Sequence, residues 1–511
     1  MPCSPATVAS GRADGRAPLR AVAVALAVVL ALALACEPQG PGGVGAMVAP
    51  QPPPAVPPRP RAETAAAHVL TAPPGALDPL FQALAAAERG EAGGRVDVVV
   101  FGDSHTAGDY LTGRLRTALQ ARFGDAGRGF VLPGKPPIKH YHARQLRYGS
   151  DGRWQAALGG RRGDEEPFGL GGVRAESKDR RAEAWVETCT DCPSSGHVGR
   201  FDVYLLRRPD AGRLAYRIDG GDWREQSLRP AEGAAPGPDV LSIAVPDGPH
   251  RLTLRPGGGG AIELFGVALE RDHPGVVVDS LGVVGRKLAH LHGWDWSVIG
   301  PQLVRRAPRL VVLQYGTNEV NEVDLDLGLL GQRYDELIAR IHALVPDAAL
   351  LILGPPDMAL RPPAWCPTLG SPPPPLRALR RGRGASLGEA PQPAQDEREV
   401  GEPEVPRVTG DVGVEAPAGP PDCLWTTPPV LPAIVETQRR AAARAGVAFF
   451  DSLAALGGRD LIDYYVHREP PLAYPDRVHF TQLGYERWAD LLLAELLAGY
   501  EEWQRRGAAP R

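Results

Sequence analysis

Four short segments, far apart along the chain, hold residue types that together can cleave an ester. Ser104 lies in Gly102-Asp103-Ser104-His105, between the apolar run Val96 to Phe101 and a helical stretch. Gly285 closes Gly282-Val283-Val284-Gly285, after the apolar run Val276 to Val278. Asn318 lies in Gly316-Thr317-Asn318-Glu319, after Leu310 to Tyr315, and Asp476-Arg477-Val478-His479 precedes the C-terminal helix. A serine hydroxyl is a poor nucleophile until an adjacent base takes its proton. His479 can be that base, and Asp476, three residues earlier, can hold the imidazole in the productive tautomer. Each fragment alone is ordinary loop punctuation. Their order, each at the end of a strand or in a loop, makes them a candidate site.

Regular elements must carry these residues. Val96 to Phe101 reads as a strand, and Tyr110 to Phe123 as a helix with Leu111, Leu115, Leu119 and Phe123 on one face. Such a strand–turn–helix projects Ser104 beyond the sheet and sets a helix N-terminus toward developing negative charge. Pro79 to Arg89 reads as a further helix, with Asp78 as N-cap and Leu80, Phe81 and Leu84 inward. From residue 275 onward, strands (Leu310–Gln314, Leu350–Leu353, Val447–Asp451) alternate with helices (Leu329–Leu344, Pro432–Arg444, Gln482–Tyr500). That alternation calls for a parallel sheet covered by helices. Between residues 140 and 273 the texture changes to short alternating runs, Phe201 to Leu206, Leu214 to Ile218, Leu241 to Val245 and Arg251 to Leu254. Turns at Asp219-Gly220-Gly221-Asp222 and Pro246-Asp247-Gly248 separate them, the pattern of an inserted antiparallel β-sandwich. Trp154, Trp185 and Trp223 in that part can stack on sugars or fill its core.

The four segments, in chain order Ser, Gly, Asn, His, resemble the blocks of the SGNH (GDSL-type) hydrolase superfamily. Gly102 to Tyr110 (GDSHTAGDY), Phe123 to Phe130 (FGDAGRGF), Gly354-Pro355-Pro356-Asp357 and Asp476 to Thr481 (DRVHFT) are similar to bacterial peptidoglycan O-acetylesterases. The resemblance spans residues 95–138 and 275–500. It implies an α/β fold, a parallel sheet flanked by helices in a flavodoxin-like three-layer arrangement, with an inserted sandwich similar to a family 35 carbohydrate-binding module. It implies three oxyanion donors: the backbone N–H groups of Ser104 and Gly285 and the side-chain amide of Asn318, each typically worth about 2.7–4 kcal/mol. Asp103 would brace the turn and His105 would be structural. Val284 departs from the polar residue often found before the glycine.

The activity implied is a serine esterase removing O-acetyl groups from a glycan, peptidoglycan first, through an acetyl-Ser104 intermediate without metal or cofactor. Esterase action on another polysaccharide, O-acetyl transfer, and a catalytically silent glycan-binding lipoprotein are the alternatives. The partner is an acetylated glycan. Nucleic acid is excluded as one, since the formal charge is −4 and no basic block with interleaved aromatics occurs.

The chain has 511 residues, room for several domains. Ala21 to Ala35 are fifteen consecutive apolar residues behind Arg12, Arg16 and Arg20. That is a secretory h-region, short of the ~20 residues of a membrane span. Ala33-Leu34-Ala35-Cys36 resembles a lipoprotein signal in which Cys36 is acylated, although the same Ala-x-Ala also serves ordinary signal peptidase. With Glu37 following, the expectation is a periplasmic lipoprotein of the outer membrane, held there by its lipid anchor. The organisation expected is a signal peptide at 1–35, a Pro-rich linker at 36–63, hydrolase parts at 77–138 and 275–500, the insert at 140–273, and a structureless loop at 371–421. Cys189, Cys192, Cys366 and Cys423 remain, an even number in an exported chain. Cys189 and Cys192 read as a local clip in preference to a redox motif or zinc site. Joining Cys366 to Cys423 would constrain the loop between them by about 4 kcal/mol.

Overall fold

The apolar runs become the middle of one sheet. The computed structural model describes residues 69–132, 141–159, 167–360 and 425–508. The segments expected to be a signal peptide (1–35), a linker (36–63) and a structureless loop (371–421), with Cys36, Cys366 and Cys423, lie outside the described residues. Six strands, β1 (Leu70–Thr71), β2 (Arg95–Gly102), β3 (Gly275–Gly282), β4 (Leu310–Gln314), β5 (Ala349–Leu353) and β6 (Ala448–Phe450), lie in the order β1-β6-β5-β4-β2-β3. All pair in parallel except the short β1, antiparallel to β6 at the edge.

Seven helices carry most of the cover: α1 (Asp78–Glu88), α2 (Ser104–Ala107), α3 (Tyr110–Phe123), α4 (Trp296–Arg306), α5 (Leu327–Leu344), α6 (Val430–Ala445) and α7 (Gln482–Ala508). Strands β4, β5 and β6 are buried along their whole length, as parallel strands covered on both faces must be. Because side chains alternate, Val99, Phe101, Leu313 and Ile352 join a cluster with α4, α5 and α6, while Val98, Val100, Val312 and Leu351 join another with α1, α3 and α7. Each fully buried side chain of this size contributes roughly 1.5–3 kcal/mol.

The remaining strands form two antiparallel sheets. One runs Arg224–Ser227, Arg213–Ile218, Arg251–Gly258, Ala184–Thr188, Leu146–Ser150; the other Gly237–Gly248, Val198–Arg207, Ile262–Glu270, Val173–Ser177, Gln155–Leu158. Leu214, Leu252 and Leu254 of the first share a cluster with Phe201, Val203 and Leu264 of the second. Tyr204, Leu206 and Phe265 point the other way, into the cluster of α4, α5 and α6. Antiparallel pairing starts before residue 140, for Gly129–Val131 lies against Val267–Leu269.

Several expectations change. Asp78 is the first helical residue of α1, not its cap; Leu77 takes that place without a side-chain bond. Pro246-Asp247-Gly248 is not a turn but the end of the strand Gly237–Gly248, where the register shifts between Ala244 and Gly248. Trp154 is core, 7% exposed. Trp185 is half-buried under the Arg251 guanidinium, 3.9 Å from its ring, and Trp223 packs against Arg217 and Arg255. Cys189 and Cys192 are joined in a disulfide. They and Asp191 are the one metal-sized cluster among the described residues, and disulfide sulfurs are not thiolate ligands. Among the described residues no helix is long and apolar enough to cross a membrane.

Candidate active site

Strand β2 ends at Gly102, where any Cβ would lie 2.2 Å from Thr106 Oγ1 and 2.8 Å from Gln314 Oε1. The missing side chain lets the next turn fold tightly over the sheet. Asp103 then caps α2, its Oδ1 accepting the His105 N–H at 2.9 Å, and Ser104 opens that single turn. The long helix does not follow directly, as the sequence reading had it. The chain breaks at Gly108 and Asp109, the latter in the left-handed region at φ 51°, before α3 starts at Tyr110. Ser104 therefore stands on one helical turn.

His479 reaches it from the other side of the chain. Its Nε2 lies 2.9 Å from Ser104 Oγ, and its Nδ1 2.7 Å from Asp476 Oδ2. With Nδ1–H donating to the carboxylate, Nε2 presents its lone pair to the serine hydroxyl, the tautomer this network assigns. The turn between them is closed by Arg477 at φ 56°, and Asp476 Oδ1 accepts the N–H groups of Val478 and His479 at 3.0 Å each. Burial pushes the Asp476 carboxyl up, but the His479 side chain and these two N–H groups outweigh it and hold it at about 2. It stays ionised beside the imidazole, as a tautomer-holding group must.

The oxyanion donors of the sequence reading are placed less simply. Gly285 is exposed with φ 72°, and Val284 before it is half-buried. The Asn318 amide already donates twice, to the Arg286 carbonyl at 3.1 Å and to Asp103 Oδ2 at 3.3 Å. Both hydrogens are engaged, so donating to an oxyanion requires giving one up, the longer bond most readily. Asp103 itself is buried, and that desolvation pushes its carboxyl up to about 7.

Glu319 and Asp109 shape the site without having been singled out by chemistry in the sequence, and His105 takes the structural place expected of it. Buried Glu319 accepts the Leu288 N–H at 2.8 Å and the Gly316 N–H at 3.0 Å, tying the loop of Gly285 to that of Asn318; burial raises its carboxyl. His105 is fully buried, its Nδ1 3.0 Å from the Tyr485 hydroxyl and its ring against Tyr485 and Trp488. Burial, then the charge of His479, drops it to about 3, so it is neutral and no second base. Asp109 holds Arg116 at 2.9 Å and Arg128 at 2.6 Å, all three buried. A signal for Glu319 and Asp109 was present, since both stand inside the motif blocks, but a motif does not say which backbone groups its carboxylates will face. Asp357, from Gly354-Pro355-Pro356-Asp357, is a structural acceptor for Thr427, Leu461 and Ile462.

Residues 253–487 match the model of the GDSL-like Lipase/Acylhydrolase family. That match takes in Gly285, Asn318, Asp476 and His479 but starts after Ser104, which the fold brings to them. No curated protein matches the chain. Among solved structures, one described as a peptidoglycan O-acetylesterase in action aligns with a TM-score of 0.61 and 22% identity, over 85% of this chain and 99% of its own. It is a likeness of fold. Family two carbohydrate esterases from Cellvibrio japonicus and Clostridium thermocellum align at TM-scores of 0.16, with 12% and 13% identity. They cover 42% and 39% of this chain and 79% and 78% of theirs.

Proposed function

We propose, for a chain that carries a GDSL-like acylhydrolase domain and is thereby an esterase, that it removes O-acetyl groups from a glycan, the C6 acetyl of peptidoglycan muramic acid foremost. The observation that carries this reading is the unbroken hydrogen-bond line Ser104–His479–Asp476 on a partly open rim. The fold likeness to a peptidoglycan O-acetylesterase supports the choice of substrate. Helices on both faces of the parallel sheet are read as the flavodoxin-like three-layer arrangement, and the two antiparallel sheets as an inserted sandwich.

In this mechanism Ser104 Oγ attacks the acetyl carbonyl carbon while its proton passes to His479 Nε2. Asp476 stabilises the imidazolium that results. The carbonyl oxygen, now anionic, takes hydrogen bonds from the Ser104 and Gly285 N–H groups and from Asn318, whose amide turns from Asp103. Collapse breaks the bond to the sugar oxygen, which leaves as a hydroxyl with the proton from His479. Water, deprotonated by His479, then attacks acetyl-Ser104 and releases acetate. Export through residues 1–35 and acylation of Cys36 would hold the enzyme in the periplasm, at the outer membrane, where this glycan lies. Acetate release from O-acetylated peptidoglycan and from acetylated xylan, measured side by side, tests the substrate. Equal or greater release from xylan would overturn the peptidoglycan assignment.

A further inference from the structure

Arg144 stands beside the candidate active site, and among the described residues its guanidinium pairs with no carboxylate. Its segment leads toward the antiparallel strands and is strapped to the loop after the nucleophile. The His142 N–H donates to the Ala107 carbonyl at 3.1 Å. The Arg144 N–H donates to Asp109 Oδ2 at 2.7 Å, and its Nε to the Gly108 carbonyl at 3.3 Å. The guanidinium carbon lies 3.3 Å from the centre of the Tyr110 ring. That ring stacks on Tyr485 with centroids 5.7 Å apart and planes within 2°, and the Tyr485 hydroxyl meets His105, the neighbour of Ser104.

Nearby cations differ from it. Arg116 and Arg128 are committed to Asp109, Lys287 to Glu322 and Arg477 to Asp463. Arg144 keeps both terminal nitrogens without partners among the described residues. Tyr474, 37% exposed, completes the rim. Its N–H donates to the His479 carbonyl at 2.8 Å. Burial raises its phenol.

A guanidinium held over an aromatic ring, with its outer N–H groups unpaired among the described residues, matches a carboxylate in shape and charge, and little side-chain entropy remains to be lost on binding. We propose that Arg144, with Tyr110 beneath it, is a specificity-determining subsite for a carboxylate carried by the acetylated sugar. This rests on the glycan reading above and narrows it to acidic acetylated sugars. Muramic acid bears such a group on its lactyl ether, and where a peptide is attached there, the peptide brings carboxylates of its own. Xylose bears none.

The full chain is assayed for kcat/KM on three soluble sugars: C6-O-acetylated N-acetylmuramic acid, its lactyl carboxamide, and the corresponding muramoyl peptide. The parent should prefer the acid over the carboxamide about 10- to 100-fold, the range of one charge-assisted hydrogen bond, and less so as salt is raised. Arg144→Gln should bring that ratio near unity, and Arg144→Lys, with charge but no fork, should keep part of it. If the peptide behaves as the acid does, a peptide carboxylate is read; if as the carboxamide does, the lactyl group is read. A parent ratio near unity overturns the subsite, as does an Arg144→Gln variant that slows both sugars equally. Failure to cleave any of the three sugars, with an aryl acetate still cleaved, would instead remove the glycan reading itself.

Discussion

In the proposed mechanism Ser104 and His479 act as a single unit, so the loss of either should remove most of the covalent route. Ser104→Ala and His479→Ala should each lower kcat for acetate release on the order of 10⁴- to 10⁶-fold, with circular dichroism unchanged. A Ser104→Ala variant of full activity would sink the assignment. Asn318→Ala should lower kcat by about 100- to 1,000-fold if its amide turns to the oxyanion, since that is the range for one donor. A smaller loss, with stability reduced, would mean that the amide stays on Arg286 and Asp103 as a brace. At this scale the sequence was informative where roles are local. Asp476 and His479 are three residues apart and meet through one turn, so their pairing could be read directly. The engagement of Asn318 could not, because Arg286 and Asp103 reach it only through the sheet, from 32 and 215 positions away. The same holds for Glu319, whose donors, the Leu288 and Gly316 N–H groups, are set by how two loops meet.

Helix α3 and the loop before it hang on one carboxylate. Asp109 takes Arg116, Arg128, the Thr112 hydroxyl and the Arg144 N–H, and is itself fully buried. Burial would raise its carboxyl, but the two arginines hold it at about 2, below its ordinary 3.8. A carboxyl depressed in the folded state stabilises that state above its unfolded pKa and loses the contribution as pH falls through the folded value. The parent should therefore shed this contribution between about pH 4 and 2, read as a falling urea midpoint. Asp109→Asn should cost about 3–5 kcal/mol near neutrality, because it leaves two buried guanidinium groups without a counter-charge, and its further loss in that acid window should be smaller than the parent's. The strand and helix that flank this loop were legible from periodicity. The break at Gly108 and Asp109 was not, since the apolar spacing of Leu111, Leu115 and Leu119 says where α3 has its face and not where it starts.

Across the whole molecule, the parallel sheet and the antiparallel strands are joined by a buried charge cluster as well as by apolar packing. Arg306, at the end of α4, donates to Asp279 of β3 and to Asp97 of β2, and also pairs with Glu270 of the strand Ile262–Glu270. Arg95 pairs with Asp97 and Glu270 from the other side. Two arginines thus face three carboxylates. Burial lifts Asp97, while Arg306 and Arg95 keep Glu270 below its ordinary value against the same burial. None of this was visible in the sequence, where these five residues look like scattered surface charges. Their partners are assigned by the crossing of four elements.

Arg306→Leu removes the cation common to all three acids and should cost about 3–5 kcal/mol at neutral pH, the penalty for stranding buried charge. The carboxylates left behind would be pushed upward in the folded state. Groups raised on folding contribute stability below their unfolded pKa and lose it as pH rises through the folded value. The deficit of Arg306→Leu relative to the parent should therefore be larger at pH 8 than at pH 5. Because the cluster ties β2 and β3 to the strand of Glu270, the hydrolase sheet and the antiparallel sheets of the parent should unfold in one transition. In the variant, tryptophan fluorescence and loss of esterase activity should separate along the urea axis, Trp154 and Trp185 reporting from the antiparallel part. Coincident transitions and a deficit that is the same at both pH values would mean that the apolar contacts of Tyr204, Leu206 and Phe265 join the two parts unaided.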